Sequence, residues 1–255
     1  MDKYKNLYIN GCSYTFGHSL SEELKWPYML SKKLDIDTFI NDSQNANSLD
    51  TIMDISFFNL LNLNPKDTLV VIGLTWIPRF AITYNNMMTN QGPADFENNE
   101  KINFEVARRP SRVSPIPTKL YSKNVIEITK HPLIQSSKEI NGFNDILNKH
   151  VSYLKSLLLH DANFTQNLKI KYIKSIILMQ NYLENNNFNY YFIKFQNDAW
   201  EDPNLDSLYN NINLDKIIDL QNIDKDKLTS HPSSKGCLWA VDNIIKKIKE
   251  DETSN

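Results

Sequence analysis

The chain has 255 residues, of which 41% are hydrophobic, and it carries a formal net charge of −2 at pH 7. This length can bury a substantial core, arranged either as one domain with a large insertion or as two domains. The balanced charge excludes the dense basic face of a dedicated nucleic-acid binder, and no segment is long and apolar enough to span a membrane. We therefore expect neither nucleic acid nor a membrane as a partner.

The N-terminal residues lead directly into an apolar segment and lack the long hydrophobic core of a secretion signal. The two cysteines, Cys12 and Cys237, are too few for a disulfide framework and lie in no cluster of metal ligands. Abundant Asn, Lys and Ile with few Arg are typical of an AT-rich coding sequence, such as that of a low-GC bacterium or its virus. We expect a cytoplasmic protein or, if the source is viral, one associated with the virus particle.

Strands and helices alternate over the first 75 residues. Apolar segments predict strands at 7–9 and 37–40, and the apolar run at 68–72 between Pro65 and Gly73 is typical of a buried parallel strand. Helices between consecutive strands make the connections right-handed crossovers. The sequence therefore predicts an α/β fold of three layers, with a mostly parallel sheet between two layers of helices.

Two helices are predicted between these strands. In the segment 26–34, Pro27 suits the first turn and two lysines suit the C-terminal end of the helix dipole. In the segment 48–61, apolar residues recur at roughly helical spacing and Ser48 is placed to cap the N-terminus. These caps fix the expected starts of both helices.

The helical period is lost between about residues 84 and 133, where Asn and Pro are frequent. We predict a loop-rich insertion there with a small hairpin, acting either as a lid over a site or as a surface elaboration. Beyond it we predict a helix at 143–183 with a break near 161–163, and a strand at 190–195. A serine-capped helix at 233–249 closes the fold, with these residues on its inner face: Leu238, Val241, Ile244, Ile245 and Ile248.

A serine lies in a glycine-flanked turn directly after the first strand, within the segment 9–17. Gly11 permits the sharp turn that would leave the Ser13 hydroxyl at the carboxyl end of the sheet. A serine in that place can act as a nucleophile if a base reaches it. The adjacent Cys12 is interpreted either as buried packing or as a reactive thiol.

A base for Ser13 is sought among the five histidines. His231 lies in a proline-marked loop before the C-terminal helix, whereas His18 follows the serine turn itself and His150 and His160 fit helix surfaces. A base on a separate loop approaches a serine held in a turn more easily than one from the same turn. The positions therefore favour His231, with His18 as its rival.

The Gly11-Cys12-Ser13 block after the first strand and the late histidine resemble motifs of the SGNH hydrolase superfamily, also called GDSL-type esterases and lipases. The resemblance implies Ser13 as nucleophile and His231 as catalytic histidine. It also implies one domain over residues 1–255, with a flavodoxin-like sheet and the insertion at about 84–133. No metal or organic cofactor is expected for such a hydrolase.

Three positions depart from the pattern of this family. Ala46 stands where the family has an oxyanion-hole glycine, but it keeps its backbone N–H; Thr75 stands in place of an asparagine and offers a shorter hydroxyl donor. The resemblance thus implies an oxyanion hole formed by Ser13, Ala46 and Thr75. The acid position, three residues before His231, holds Leu228.

Several aspartates are candidates for the missing acid. We take Asp226 as the first candidate, with Asp224 on a neighbouring turn and Asp198 or Asp202 in another loop as alternatives. Otherwise the site operates as a Ser-His dyad, with the histidine tautomer held by a backbone carbonyl.

Residues after the third strand belong to the expected pocket, because ligands bind at the carboxyl ends of parallel strands. Trp76 and Arg79 lie there, and Arg79 either holds a substrate carboxylate or pairs with an acidic neighbour. The other three arginines, at 108, 109 and 112, form either an anion-binding cluster or a solvated basic loop.

The resemblance implies ester hydrolysis through an acyl-enzyme, and the polar, Asn-rich insertion favours a polar substrate such as an O-acetylated glycan. Two other functions fit the same residues. One is a degenerate fold that binds a glycan or protein, for example as a structural component of a virus particle. The other is an acyltransferase, which shares the acyl-enzyme but excludes water.

Overall fold

A computed structural model describes residues 4–45, 47–75, 80–84, 87–91, 120–122, 126–127, 162–195 and 203–253. Its centre is a seven-stranded sheet in the order β7-β6-β2-β1-β3-β8-β9, beside a separate two-stranded sheet of β4 and β5. The strands are β1 Asn6–Asn10, β2 Thr38–Asn41, β3 Thr68–Gly73, β4 Phe80–Tyr84, β5 Met87–Gln91, β6 Leu120–Ser122, β7 Ile126–Glu127, β8 Asn189–Lys194 and β9 Ile217–Asp219.

Five neighbouring strands of the large sheet are parallel. β1 pairs with β2 and with β3, β3 pairs with β8, and β8 pairs with β9, all in the same direction. Among the described pairings of this sheet, only those of β6 with β2 and of β6 with β7 are antiparallel. Because these strands run in the same direction, their carboxyl ends lie at one edge of the sheet. The loops after β1, β2 and β3 meet at that edge.

Helices cover both faces of the sheet, which confirms the predicted three-layer α/β architecture. Side chains alternate along β1, so that Leu7 and Ile9 pack on one face and Tyr8 on the other. The first face is covered by α2 and α6, and the second by α3 and α4. The helices are α1 Ser13–Phe16, α2 Trp26–Lys33, α3 Leu49–Leu60, α4 Ala162–Asn185, α5 Asp206–Tyr209 and α6 Ser234–Thr253.

The predicted elements agree with these bounds to within a few residues, except at the ends of the longest helices. The Ser48 side chain caps α3 by accepting a hydrogen bond from the Thr51 N–H at 3.3 Å. Ser233 likewise accepts one from the Gly236 N–H at 3.1 Å and so caps α6. The prediction for Leu238 is wrong, because this side chain is 48% exposed. It lies beside the exposed Trp239, whereas the buried stripe of α6 continues from Cys237 and Ala240.

Most of the predicted insertion at 84–133 lies outside the described residues. Its described parts are strands: β4 and β5 form an antiparallel hairpin, which begins at Phe80, ahead of the predicted start. β6 pairs with β2 and so extends the main sheet, which the sequence analysis did not predict. Of the helix predicted at 143–183, the part before Ala162 also lies outside the described residues.

The Thr15 side chain holds the turn after β1 against the sheet. A Cβ atom built on Gly11 or on Gly73 would collide with the Thr15 hydroxyl oxygen. The absence of a side chain at both positions, at the ends of adjacent strands, therefore makes room for Thr15, which is fully buried. This close approach, and not a positive φ angle, is what requires glycine at the two positions.

We predict that Gly73→Ala lowers the free energy of unfolding by about 1–3 kcal/mol, as overpacking of a core typically does. Adding Thr15→Ala should recover much of this loss, because it removes the closest contact. The next contact, 3.3 Å to Thr15 Cβ, requires a shift of only a few tenths of an ångström, and the 3.5 Å contact with the Phe195 ring is ordinary. Gly11→Ala should not be rescued in the same way, since its Cβ would also meet Thr15 Cβ at 2.6 Å.

Urea unfolding of the single and double variants measures these differences. No rescue of Gly73→Ala by Thr15→Ala would show that a side chain other than Thr15 sets the limit, and equal rescue of both glycine variants would contradict the limit assigned to Thr15 Cβ at Gly11.

Candidate active site

Ser13 is placed at the carboxyl edge of the sheet by the turn after β1. It opens the short helix α1, which ends at Gly17 in the left-handed conformation with φ of 71°. Ser13 is 5% exposed, and no hydrogen bond of its hydroxyl is found among the described residues. Asn10 anchors the turn from behind: its Oδ1 accepts from the Gly11 N–H at 2.8 Å, and its Nδ2 donates to the Ile52 carbonyl at 3.0 Å.

His231 lies in the loop between β9 and α6, partly buried. Its Nδ1 lies 2.7 Å from the Thr229 carbonyl oxygen. A carbonyl only accepts, so in this contact Nδ1 carries the proton and, in the neutral ring, Nε2 keeps its lone pair. The preceding residue, Ser230, has φ of 56°, in the left-handed region. The loop therefore presents an imidazole with its tautomer defined by a backbone group.

The structure brings the Ser13 turn and the His231 loop into contact. Tyr14, the residue after the serine, donates its hydroxyl to the Ser230 carbonyl at 2.9 Å, and its ring centroid lies 5.3 Å from that of His231. The His18 ring lies 5.0 Å from His231, and the Asn45 amide is 3.2 Å from His18 Nδ1. Both histidines considered from the sequence therefore meet at this edge of the sheet.

The structure does not place Asp226 as the acid partner of His231. One carboxylate oxygen of Asp226 accepts from the Leu228 N–H at 2.9 Å and from the Thr229 N–H at 3.0 Å. These bonds lower the pKa of Asp226, because they favour its charged form. The carboxylate thus closes its own turn, and the contact of His231 Nδ1 is with a carbonyl.

The other candidate acids are also placed elsewhere or not described. The Asp224 carboxylate accepts from the Ser233 hydroxyl at the start of α6. Leu228, at the position where the resemblance led us to look for an acid, is 95% exposed. Asp198 and Asp202 lie outside the described residues.

Thr75 lies at the carboxyl end of β3, next to the edge that carries Ser13. It is buried, and its carbonyl accepts from the Tyr172 hydroxyl at 2.5 Å. The preceding Leu74 donates its N–H to the Ile193 carbonyl at 2.8 Å, which continues the pairing of β3 with β8. The remaining predicted site residues, Ala46, Trp76 and Arg79, lie outside the described residues.

A buried polar network lies beneath the serine turn, and the sequence analysis missed it. Asn10 Nδ2 donates to the Ser56 hydroxyl at 3.0 Å, and the Tyr8 hydroxyl lies 3.2 Å from the same oxygen. Asp42, 2% exposed, accepts from the Asn59 amide at 2.5 Å. Burial and the nearby Asp42 raise the pKa of Tyr8 well above its usual value. The available signal was two polar side chains, Tyr8 and Asn10, in an apolar strand.

Both thiols are buried, Cys12 at 3% and Cys237 at 0% exposure. Burial raises the pKa of Cys237 to about 11, so this thiol is protonated at neutral pH. Within the described residues there is no group of three or more His, Cys, Asp or Glu side chains arranged to hold a metal. None of the described helices has the length and apolar character that crossing a membrane requires.

No protein-family model and no curated protein matches this chain. Among solved structures, it is similar to an acetyl xylan esterase from the rumen bacterium Butyrivibrio proteoclasticus (10% identity, TM-score 0.49, 98% of this chain and 65% of that one). It is also similar to a protein assigned to the lipolytic G-D-S-L family from Desulfitobacterium hafniense (12% identity, TM-score 0.46, 95% and 99%). A lipolytic G-D-S-L family member from Veillonella parvula gives 12% identity and a TM-score of 0.39, over 94% and 96% of the two chains.

Replacing Asp226 separates a role in its turn from a role as catalytic acid. Asp226→Asn keeps the oxygen that accepts from Leu228 and Thr229, so we predict a serine reactivity within about threefold of the wild type. Asp226→Ala removes that oxygen and should lower the reactivity further. A loss on the order of ten thousandfold in Asp226→Asn, as for a triad acid, would show that the carboxylate acts on His231. The rate of serine acylation by an activated ester measures this.

Proposed function

We propose that this chain is a serine ester hydrolase of the SGNH type, in which Ser13 is the nucleophile and His231 the base. The single observation that carries the proposal is the contact between the two loops. The serine turn meets the histidine loop through Tyr14, and the histidine tautomer fixed by Thr229 leaves Nε2 able to take a proton.

The reaction follows from these roles. His231 Nε2 takes the proton of the Ser13 hydroxyl as the serine oxygen attacks the acyl carbonyl, and it returns that proton to the leaving alcohol. Water then attacks the acyl-enzyme with the same base. We assign the developing oxyanion to the N–H groups of Ser13 and Ala46 and to the Thr75 hydroxyl; loss of one such donor costs on the order of a hundred- to a thousandfold in rate.

In this proposal the Thr229 carbonyl takes the orienting role that a carboxylate has in a triad. A carbonyl fixes the ring and its tautomer, but it contributes no negative charge to stabilise the imidazolium. We therefore propose a Ser-His dyad, with a slower acylation step than a full triad gives.

We propose a polar ester, such as an O-acetylated glycan, as the substrate class. The side chains beside the proposed dyad are polar: His18 and Lys225 are exposed, and the Asn45 amide is close to His18. Such groups can hydrogen-bond hydroxyls of a sugar, whereas a lipase site would offer an apolar surface. Trp76 and Arg79 are proposed as further pocket residues on their sequence position after β3.

We predict that a fluorophosphonate probe adds once to the folded protein, by intact mass, and that the adduct is lost in Ser13→Ala. In His231→Ala the labelling rate should fall by at least about a hundredfold, because the base is gone. Ser175→Ala is the matched control, since among the described residues its hydroxyl bonds the Lys171 carbonyl, within α4 itself. Wild-type protein that stays unlabelled would overturn the hydrolase proposal and favour a binding role.

Hydrolysis and transfer are distinguished by the product that the unlabelled protein forms from an ester substrate. With an acetylated oligosaccharide, we expect acetate release whose rate does not depend on added acceptor alcohol. An acetylated acceptor formed without free acetate would instead identify an acyltransferase.

A further inference from the structure

We propose that Tyr14 is a positioning residue that sets the approach of His231 to Ser13; this rests on the proposed function. Tyr14 follows the serine directly within α1, so its backbone moves with the nucleophile. Its side chain reaches the histidine loop and contacts it twice, by the hydroxyl and by the ring.

The Tyr14 hydroxyl bonds Ser230, the residue directly before His231. Tyr14 donates to the Ser230 carbonyl at 2.9 Å, and Ser230 has φ of 56°. Outside glycine, this left-handed conformation persists where the surroundings hold it. A change at Ser230 would turn the His231 side chain, because the two residues are adjacent. The tyrosine hydroxyl therefore stabilises the backbone angle on which the direction of the imidazole depends.

Two further neighbours contact the ring of Tyr14, and a third contacts its backbone. Its centroid lies 5.7 Å from that of Phe195, and the Lys225 ammonium lies 5.5 Å from the ring centroid. The Trp26 indole N–H donates to the Tyr14 carbonyl at 3.2 Å. Tyr14 is 8% exposed. Because this packing does not involve the hydroxyl, Tyr14→Phe removes the hydrogen bond to Ser230 and leaves the ring in place.

The hydroxyl donates its proton to the Ser230 carbonyl, so we infer that it acts through the loop. Loss of this bond should therefore change how fast Ser13 reacts, but not how well a ligand binds. This separates Tyr14 from the groups that contact substrate in the proposed function.

The test is the kinetics of fluorophosphonate labelling in Tyr14→Phe, with Tyr191→Phe as the control. Tyr191 is also a buried tyrosine, and its hydroxyl bonds the Asp251 carboxylate at 3.0 Å near the end of α6. We expect the maximal labelling rate of Tyr14→Phe to fall about tenfold, the loss of one hydrogen bond, with an unchanged half-saturating probe concentration. Tyr191→Phe should label at the wild-type maximal rate.

Thermal unfolding of both variants provides the structural readout, and we expect Tyr14→Phe to melt no lower than Tyr191→Phe. Labelling of Tyr14→Phe at the wild-type maximal rate would overturn the inference while leaving the proposed function intact. An equal loss of maximal rate in both variants would also overturn it, because the effect would then follow general stability. Wild-type protein that does not label at all would overturn the proposed function and this inference together.

Discussion

The close approach of Thr15 to Gly11 and Gly73 is the constraint on which the rest of the site depends. β1 and β3 are paired in parallel, so the residues that follow them lie side by side at the carboxyl edge. Glycine at both positions lets one buried side chain fill the space between the two strand ends. The turn with Ser13 is thereby packed on the sheet through contacts that do not involve the histidine loop.

The second element of the site comes from far along the chain. His231 is carried by the loop between β9 and α6, and that loop is closed by Asp226, whose backbone N–H also donates to the His231 carbonyl at 2.8 Å. The imidazole is oriented by Thr229, within the same loop. Local hydrogen bonds thus shape the loop, while Tyr14 joins it to the serine turn. This division explains how the loop orients its imidazole through a backbone carbonyl.

Much of the fold was predictable, because the buried strands are continuous apolar runs and the helices carry sequence caps. Ser48 and the run at 68–72 specified α3 and β3 within a residue or two. β9 was missed since Ile217–Asp219 is a strand of three residues, stabilised mainly by pairing with β8. Leu238 was misplaced because the helical period does not tell which edge of an apolar stripe the sheet covers.

The candidate site was predictable in part. The placement of Ser13 and His231 on loops at one sheet edge followed from strand order and from the resemblance. The role of Asp226 could not be predicted in this way. A short aspartate side chain can bond the backbone of its own turn as easily as a nearby imidazole, and the sequence spacing does not distinguish these two interactions. Tyr14 and the network around Asp42 depend on long-range packing, which a single sequence does not display.

The most direct test of the account is the rate at which an activated acetyl ester is hydrolysed by Ser13→Ala, by His231→Ala and by the double variant. If the two residues act as one unit, the double variant reacts no more slowly than the slower single variant, since removal of either member already abolishes their joint effect. Losses that multiply in the double variant would show that Ser13 and His231 act independently, and would contradict the dyad.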